Sequence, residues 1–290
     1  MEAGLVIAAY GKRYGVELAD GRELSCVTRG KKTDLACGDH VEIALTDKAE
    51  GVIDHLLPRN SLLYRSNAYR SKFLAANVTQ AVIVLATVPG FYEELLNRCL
   101  IAAEAAGIQV LIVLNKCDIG ETEAATQRLQ RYAKLGYALL PLSAKRDIEP
   151  LRKRLQGHTS VLVGQSGMGK STIVNALLPG LDLRTQEISA ALDSGKHTTT
   201  AAHLYHLDVD SQLIDSPGMQ EFGLHHLSPD QLEHAFVEFR PYLGHCRFSN
   251  CRHLQEPGCA VQEAVASRAI DEERLACYRT LLQEIVRKPL

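Results

Sequence analysis

Residues 164–172 carry the pattern with the clearest chemistry in this chain, because three glycines lead into a lysine and two hydroxyl side chains. Glycines let successive backbone N–H groups face a phosphate, Lys170 supplies charge at the outer phosphate oxygens, and Ser171 can hold Mg²⁺. An apolar segment precedes the pattern and a helical one follows it, as a phosphate-binding loop requires. The members of this predicted P-loop are Gly164, Gln165, Ser166, Gly167, Met168, Gly169, Lys170, Ser171 and Thr172.

Two further loops could select the base. In the stretch Asn115, Lys116, Cys117 and Asp118, the aspartate can accept hydrogen bonds from guanine N1–H and its exocyclic amine, a donor pattern that adenine lacks. Taken alone, this tetrapeptide is more typical of an ordinary turn. Ser143, Ala144 and Lys145 match, more weakly, the loop that packs against guanine O6 in GTPases. Because these matches and the P-loop fall in one α/β region, together they predict GTP.

A second element on the phosphate side is predicted where a short strand ends at Asp215. Asp215 would hold Mg²⁺ through a water molecule, and the Gly218 N–H would sense the γ-phosphate. Thr199, in a polar stretch before the preceding strand, is expected to complete the Mg²⁺ shell, with Thr198 and Thr200 as near equals. The alternative for this stretch is a plain loop that enters a strand.

The hydrolysis step lacks an obvious water-orienting side chain. Met219 follows Gly218 where many GTPases carry a glutamine, and Gln220 comes one place later. Intrinsic hydrolysis is therefore expected to be slow unless another residue or a partner orients the water. His197 is the nearest candidate in sequence for this catalytic role, and the alternative is a solvated loop histidine.

The order of these motifs is unusual, since the base-side loops precede the phosphate-binding loop. Ordinary GTPases run the other way, so the order predicts a circularly permuted GTPase domain. Permutation is tolerated when the original termini lie close together on the surface. Its consequence is that Asp215 and Gly218 fall at the end of this domain, where nucleotide-dependent movement would act on the segment that follows.

A cysteine and histidine cluster lies in that following segment. Cys246, Cys251, His253 and Cys259 form a Cys₃His set, which predicts a closed tetrahedral zinc site with a structural role. The alternative is a set of coincidental free cysteines. Between Phe239 and Gln255 there are three arginines and no acid, which gives the module a basic surface.

Composition limits the remaining possibilities. The chain has 290 residues, 46% hydrophobic and 23% charged, which excludes a disordered, collagen-like or coiled-coil protein. The net charge of -2 neither supports nor excludes RNA binding. No apolar run is long enough to span a bilayer, and the N-terminus does not resemble a signal peptide, so a soluble, unexported protein is expected.

The first 60 residues read as short strands separated by turn residues, which favours a small OB-type barrel. Such barrels often bind RNA or DNA, and a barrel of unknown role is the equal alternative. The predicted strands are Leu5–Ala9, Tyr14–Leu18, Leu24–Thr28, His40–Leu45 and Val52–Leu57. Residues 58–72 are expected to form a basic linker able to contact phosphate, because Arg59, Arg65, Arg70 and Lys72 occur in a stretch without acids.

From Ala81 the pattern alternates between strands and helices, which predicts a mostly parallel sheet covered by helices. The predicted strands are Ala81–Thr87, Val110–Leu114, Tyr137–Leu140, Ser160–Val163, His203–Leu207 and Gln212–Ile214. The predicted helices are Glu93–Ala106, Glu121–Leu135, Ile148–Gln156, Lys170–Leu178 and a final one over Asp271–Arg287. The expected domains are an OB barrel (1–62), a circularly permuted P-loop GTPase domain (63–225) and a mostly helical zinc-binding domain (226–290).

Over nearly its whole length the chain resembles the ribosome small-subunit-dependent GTPase A (RsgA/YjeQ) family of bacteria. The resemblance rests on the motifs above in this order, together with Pro58-Arg59-Asn60, Gly195–Thr200, Glu221-Phe222-Gly223 and Glu256-Pro257-Gly258-Cys259. It implies a cytoplasmic enzyme that hydrolyses GTP to GDP in late maturation of the 30S subunit and is stimulated by that subunit. The family's proposed catalytic histidine falls on His197, and Met168 stands where a valine is usual.

The resulting hypothesis is a molecular timer with Mg²⁺, GTP or GDP and one structural zinc ion. In the GTP state the barrel and zinc module would grip 16S rRNA, and hydrolysis would release them. A monomer without DNA or membrane partners is expected. One alternative is an RNA-binding assembly module that uses GTP only as a structural ligand. Another, a GTPase that acts on a protein or membrane partner, is weakened by the barrel and the absence of an anchor.

Overall fold

The N-terminal strands close into a barrel, as the sequence predicts. The structure is a computed structural model that describes residues 1–30, 34–67, 69, 71–181, 202–216 and 222–287. The barrel strands are β1 (Glu2–Tyr10), β2 (Arg13–Leu18), β3 (Glu23–Thr28), β4 (His40–Leu45) and β5 (Glu50–Leu56). They pair in the order β1-β2-β3-β5-β4, and β4 returns to β1 to close the circuit. Alternate side chains such as Val16, Cys26 and Ile43 fill the interior.

The segment after the barrel is not the simple linker that the sequence predicts. Strands β6 (Leu62–Ser66) and β7 (Ser71–Ala76) form a separate two-stranded sheet. Tyr64 and Phe73 pack edge to face with ring centroids 5.6 Å apart, a cross-strand contact that stabilises such a hairpin. Arg59 is not available for phosphate, since its guanidinium binds the buried carboxylate of Asp39 at 2.6 and 2.7 Å.

The predicted parallel sheet is present, with small shifts at the strand ends. Its strands are β8 (Gln80–Ala86), β9 (Gln109–Asn115), β10 (Ala138–Pro141), β11 (Thr159–Val163), β12 (Ala202–His206) and β13 (Gln212–Asp215). They lie in the order β10-β9-β8-β11-β13-β12, and only β12 pairs antiparallel within this set. Helices α2 (Thr122–Lys134), α3 (Glu149–Leu155) and α4 (Lys170–Leu177) belong to the same region. Val84, Val113, Leu162 and Ile173 are fully buried in its core.

Contact density divides the molecule into two units. The first comprises Met1–Tyr64, Phe73–Tyr92 and Ile108–Gln220. Barrel and parallel sheet share this unit because β1 pairs with β12, with Ala8 opposite His203. The three-domain division into 1–62, 63–225 and 226–290 stays a prediction.

The second unit comprises Arg65–Lys72, Glu93–Gly107 and Glu221–Leu290. Its helices are α1 (Glu93–Ala105), α5 (Pro229–Ala235), α6 (Ala260–Ala266) and α7 (Glu272–Val286). Phe236, Phe239 and Tyr278 form its aromatic core, with ring centroids 4.9–5.4 Å apart. Helix α1 joins this unit through buried polar contacts, since Arg274 donates to Asn97 Oδ1 at 2.7 Å. Within the part of the chain that the structure describes, no helix is long and apolar enough to cross a membrane.

Candidate functional site

The predicted nucleotide motifs meet at one edge of the parallel sheet. Strand β9 ends at Asn115, β11 leads into Gly164, and β13 ends at Asp215, while Ser143 follows β10. The carboxyl ends of parallel strands share one edge, which is where open α/β sheets bind ligands. Residues that are far apart in sequence thus come together around one site.

The glycines of the P-loop are required by close backbone approaches. Gly164 has φ +151°, and a Cβ there would lie 2.4 Å from the carbonyl oxygen of Val84. Gly169 has φ +92°, and a Cβ there would lie 2.4 Å from Nδ2 of Asn115. Gly169 is the N-cap of α4, so the first N–H groups of this helix are available to an anion.

The lysine of the P-loop is held by the loop itself. Lys170 Nζ donates to the carbonyl oxygens of Gly164 at 2.8 Å and Gln165 at 3.0 Å. The side chain is largely buried, with 9% exposed. Ser171 and Thr172 follow in the first turn of α4, so the charge and the hydroxyl groups lie beside the same helix N-terminus.

Asn115 joins the base-side loop to both of its neighbours. Its Nδ2 donates to the carbonyl oxygen of Met168 at 3.1 Å, and its Oδ1 accepts from the Ala144 N–H at 3.1 Å. Lys116, with φ +61°, donates through Nζ to Val88 O at 2.8 Å and Gly167 O at 2.7 Å. The side chain of Asn115 therefore bridges all three predicted nucleotide loops.

The carboxylate of Asp118 is well suited to accept hydrogen bonds from a base. The nearby Ser143 hydroxyl, followed by the cations Arg146 and Lys145, holds the pKa of Asp118 below its ordinary value. A cavity of about 290 Å³ lies beside it, lined in part by Cys117, Asp118, Leu142, Ser143, Arg146 and Asp147. The Cys117 thiol instead donates to the carbonyl oxygen of Leu114 at 3.1 Å. Of the four side chains in this tetrapeptide, that of Asp118 is therefore the one whose oxygen atoms can accept hydrogen bonds from guanine.

Asp215 has the features expected of a Mg²⁺-site carboxylate. It is 3% exposed, and its Oδ1 has no hydrogen-bond partner in the described structure. Burial raises its pKa to about 6, and the positive charge of Lys170 opposes that rise. A buried oxygen without a partner is costly, and a cation at the site would offset the cost. Asp215 thus fits a role in holding Mg²⁺.

Other predicted site residues fall in segments that the structure does not describe. His197, Thr198, Thr199 and Thr200 lie in residues 182–201, and Gly218 with Met219 lies in residues 217–221. Their assignments stay predictions from sequence.

The Cys₃His set comes together in the second unit. The ligand atoms of Cys246, Cys251, His253 and Cys259 all lie within 4.8 Å of one another, and three of these residues are buried. His253 Nδ1 is 3.3–3.7 Å from the three sulfurs. A tetrahedral zinc site with Zn–S bonds of about 2.3 Å places its ligand atoms roughly 3.7 Å apart. The donor set and its spacing therefore fit Zn²⁺.

Two residues hold this loop through contacts that were not predicted from sequence. Glu256 accepts hydrogen bonds from the backbone N–H groups of Arg252, Leu254 and Gln255 at 2.8–3.0 Å. Arg279, on α7, donates to the carbonyl oxygen of His253 at 3.1 and 3.2 Å. The Glu-Pro-Gly turn pattern could have identified Glu256 from the sequence, whereas no local pattern distinguishes Arg279.

The chain is a circularly permuted P-loop GTPase, because it combines a P-loop, a guanine-type loop that precedes the P-loop in sequence, and an OB-type barrel. It also carries a C-terminal module with a Cys/His cluster. Residues 56–225 match the family model described as RsgA GTPase. The chain belongs to the RsgA GTPase family and is a GTP-hydrolysing enzyme.

Relatives and solved structures agree with this assignment. Proteins called "Small ribosomal subunit biogenesis GTPase RsgA" from Nitrosospira multiformis and Nitrosomonas europaea are each 52% identical, and each match covers 97% of this chain and 90% of the relative. The crystal structure of YjeQ from Thermotoga maritima is similar with a TM-score of 0.76 and 30% identity, covering 99% of both chains. The structure of YloQ, a circularly permuted GTPase, is similar with a TM-score of 0.71 and 28% identity, covering 100% of this chain and 97% of that one.

Proposed function

We propose that this enzyme acts in the cytoplasm on the small ribosomal subunit late in its biogenesis, binding the 30S subunit through 16S rRNA. Binding of that subunit stimulates GTP hydrolysis, and hydrolysis releases the enzyme. Relatives named for small-subunit biogenesis, 52% identical over 97% of the chain, support the partner. The single structural observation behind the activity is the bridge that Asn115 makes between the P-loop and the Ser143–Lys145 loop.

The geometry supports specific roles for the chain's own residues. Asp118 accepts from the guanine edge, and the N–H groups at the start of α4 bind the phosphates. Lys170 leaves its loop carbonyls and pairs with the β and γ oxygens. Ser171 and Asp215 would hold Mg²⁺, which would neutralise charge that develops on the phosphates. The remaining roles come from the sequence and not from the described geometry: His197 is assigned to position the attacking water, and Thr199 and Gly218 to contact the metal and γ-phosphate side.

The test is GTP turnover by the purified protein alone, with 30S subunits, and with 50S subunits as the control. We expect 30S subunits to stimulate turnover and 50S subunits not to, and we expect Lys170→Ala to abolish the stimulated turnover. Tight GTP binding without turnover under any condition would favour the alternative of an RNA-binding assembly module. A His197→Ala variant that keeps full stimulated turnover would remove the proposed role of that residue and leave the rest intact.

Cys246, Cys251, His253 and Cys259 hold one structural Zn²⁺ in this proposal. The closed set of four ligands and the distances between their atoms support structural rather than catalytic metal. Metal analysis of protein purified without added metal should return one zinc per chain. The Cys251→Ser variant should lose it, while the matched Cys26→Ser variant, in the barrel core, should keep it.

A further inference from the structure

The two ring nitrogens of His253 lie in different surroundings. Its Nδ1 lies 3.3 Å from Cys259 Sγ, 3.6 Å from Cys251 Sγ and 3.7 Å from Cys246 Sγ. Its Nε2 points away, is buried, and has no hydrogen-bond partner among the residues described. Burying a polar nitrogen without a partner is costly, so this atom is expected to have a role when metal binds.

A carboxylate oxygen faces this nitrogen. Oε2 of Glu233, on α5, lies 3.6 Å from His253 Nε2, and in the described structure it too is buried without a hydrogen-bond partner. An N–H···O hydrogen bond spans about 2.9 Å, so a movement of roughly 0.7 Å joins the two groups. A bridging water would need about 5 Å between the atoms, so the contact must be direct.

The neighbouring cation does not compete strongly for Glu233. Arg252 Nη1 is also 3.6 Å from Glu233 Oε2, but it lies only 2.6 Å from Asp230 Oδ1. Arg252 is therefore held by Asp230, one turn earlier on the same helix. The two nitrogens are equally far from Glu233 Oε2, at 3.6 Å, but within the described structure His253 Nε2 has no other hydrogen-bond partner.

The backbone of His253 is held by other residues. It has φ +59°, in the left-handed region, and its carbonyl oxygen accepts from Arg279. Glu256 binds the backbone N–H groups on either side of it, those of Arg252 and Leu254. Because these contacts place the main chain, Glu233 is needed only for the orientation and proton position of the ring.

We propose that Glu233 is a positioning residue of the metal centre, which accepts the N–H of His253 Nε2 and so keeps the lone pair of Nδ1 toward the three sulfurs. This inference rests on the zinc site proposed above. A histidine that binds zinc commonly donates its other N–H to a carboxylate or carbonyl, and loss of that partner costs 10–100-fold in metal affinity.

The experiment measures zinc affinity of the full chain by competition with a chromophoric chelator. Glu233→Ala should weaken zinc binding roughly 10–100-fold, and Glu233→Gln, which keeps an acceptor oxygen, should recover most of it. Glu272→Ala is the matched control, since it removes an exposed acid at the start of α7, and it should bind zinc as the wild type does. Histidine ¹⁵N spectra of the zinc-loaded protein should show one imidazole with metal on Nδ1 and a protected Nε2 N–H, which Glu233→Ala exposes to exchange.

Wild-type zinc affinity in Glu233→Ala would overturn the proposal. The proposal would also be wrong if Glu233→Ala lowered the melting temperature by the same amount with zinc and without it. Glu233 would then stabilise the fold and have no role at the metal site. If the wild-type chain binds no zinc at all, the metal site itself is wrong, and that outcome is distinct from a failure of Glu233.

Discussion

The side-chain amide of Asn115 donates a hydrogen bond to the carbonyl oxygen of Met168, 3.1 Å away, and so ties the base-side loop to the P-loop. The same amide accepts from the Ala144 N–H. Asn115 is 2% exposed, so water cannot replace these bonds. The residue does not need to touch nucleotide to control the site, because it sets the relative position of the three loops that are predicted to bind it.

Replacement of Asn115 by alanine should weaken guanine nucleotide binding substantially. Loss of two buried hydrogen bonds costs about 2–3 kcal/mol, or roughly 30–150-fold in affinity. Asn115→Asp should bind no better, since it turns a carboxylate oxygen toward the Met168 carbonyl. Titration of a fluorescent GDP analogue measures both, with the exposed Asn250→Ala as the control. Unchanged affinity in Asn115→Ala would show that the loops hold their positions without the bridge.

Gly169 should be intolerant of alanine for two separable reasons. The added Cβ would lie 2.4 Å from Asn115 Nδ2, and φ +92° strains any L side chain by about 1–2 kcal/mol. Gly180 offers the matched control, because it has φ +109° and nothing within 4 Å of an added Cβ. Gly169→Ala is expected to lose nucleotide affinity and Gly180→Ala to lose only stability, as measured by nucleotide titration and thermal melting. Equal behaviour of the two variants would contradict the contact with Asn115.

Local patterns were enough to predict the elements that carry the nucleotide loops. Parallel strands such as Gln80–Ala86 are buried on both faces, so they appear as continuous apolar runs, and glycine spacing marks the P-loop. Contacts between distant residues were not predictable in this way. The β6–β7 hairpin depends on Tyr64 packing across the strand on Phe73, and the metal loop on Arg279 from another helix. Glu233 looks like an ordinary acid of an amphipathic helix until the fold sets it opposite His253.

The ion pair of Asp39 and Arg59 should be a large term in the stability of the first unit. Asp39 is 0% exposed, and Arg59, 17% exposed, binds both of its oxygens. Arg59→Ala leaves a buried charge without its partner and should lower the free energy of unfolding by about 3–5 kcal/mol. The double variant with Asp39→Ala should cost less than the sum of the single variants.

Denaturant unfolding tests this pair against an exposed one. Arg22 and Asp20 lie 2.7 Å apart with side chains 48% and 53% exposed, so water screens this pair and Arg22→Ala should cost far less than Arg59→Ala. If Arg59→Ala lowered the free energy of unfolding as little as Arg22→Ala, water would have to reach Asp39 once the arginine is gone.

His226 should make the second unit sensitive to mild acid. Its Nδ1 lies 2.9 Å from the Ser66 hydroxyl oxygen, and burial, then the neighbouring His225, lowers its pKa to about 4. Between pH 6.5 and pH 4 the unfolded chain takes up a proton that the folded ring does not, so the free energy of unfolding falls as the pH falls through this window. A pKa lowered from 6.5 to about 4 corresponds to roughly 3 kcal/mol of unfolding free energy. Because the ring is only partly buried, solvent screening should reduce the loss to about 2 kcal/mol.

Melting temperatures across that pH range check the effect of His226. His226→Gln should flatten the pH dependence between pH 6.5 and pH 4, since glutamine keeps a hydrogen-bonding group for Ser66 but does not titrate. His55→Gln, at an exposed position of β5, serves as the control and should leave the profile unchanged. If His226→Gln melts with the same pH dependence as the wild type, the ring is already protonated in the folded protein or lies free of its buried site, and the acid sensitivity has another source.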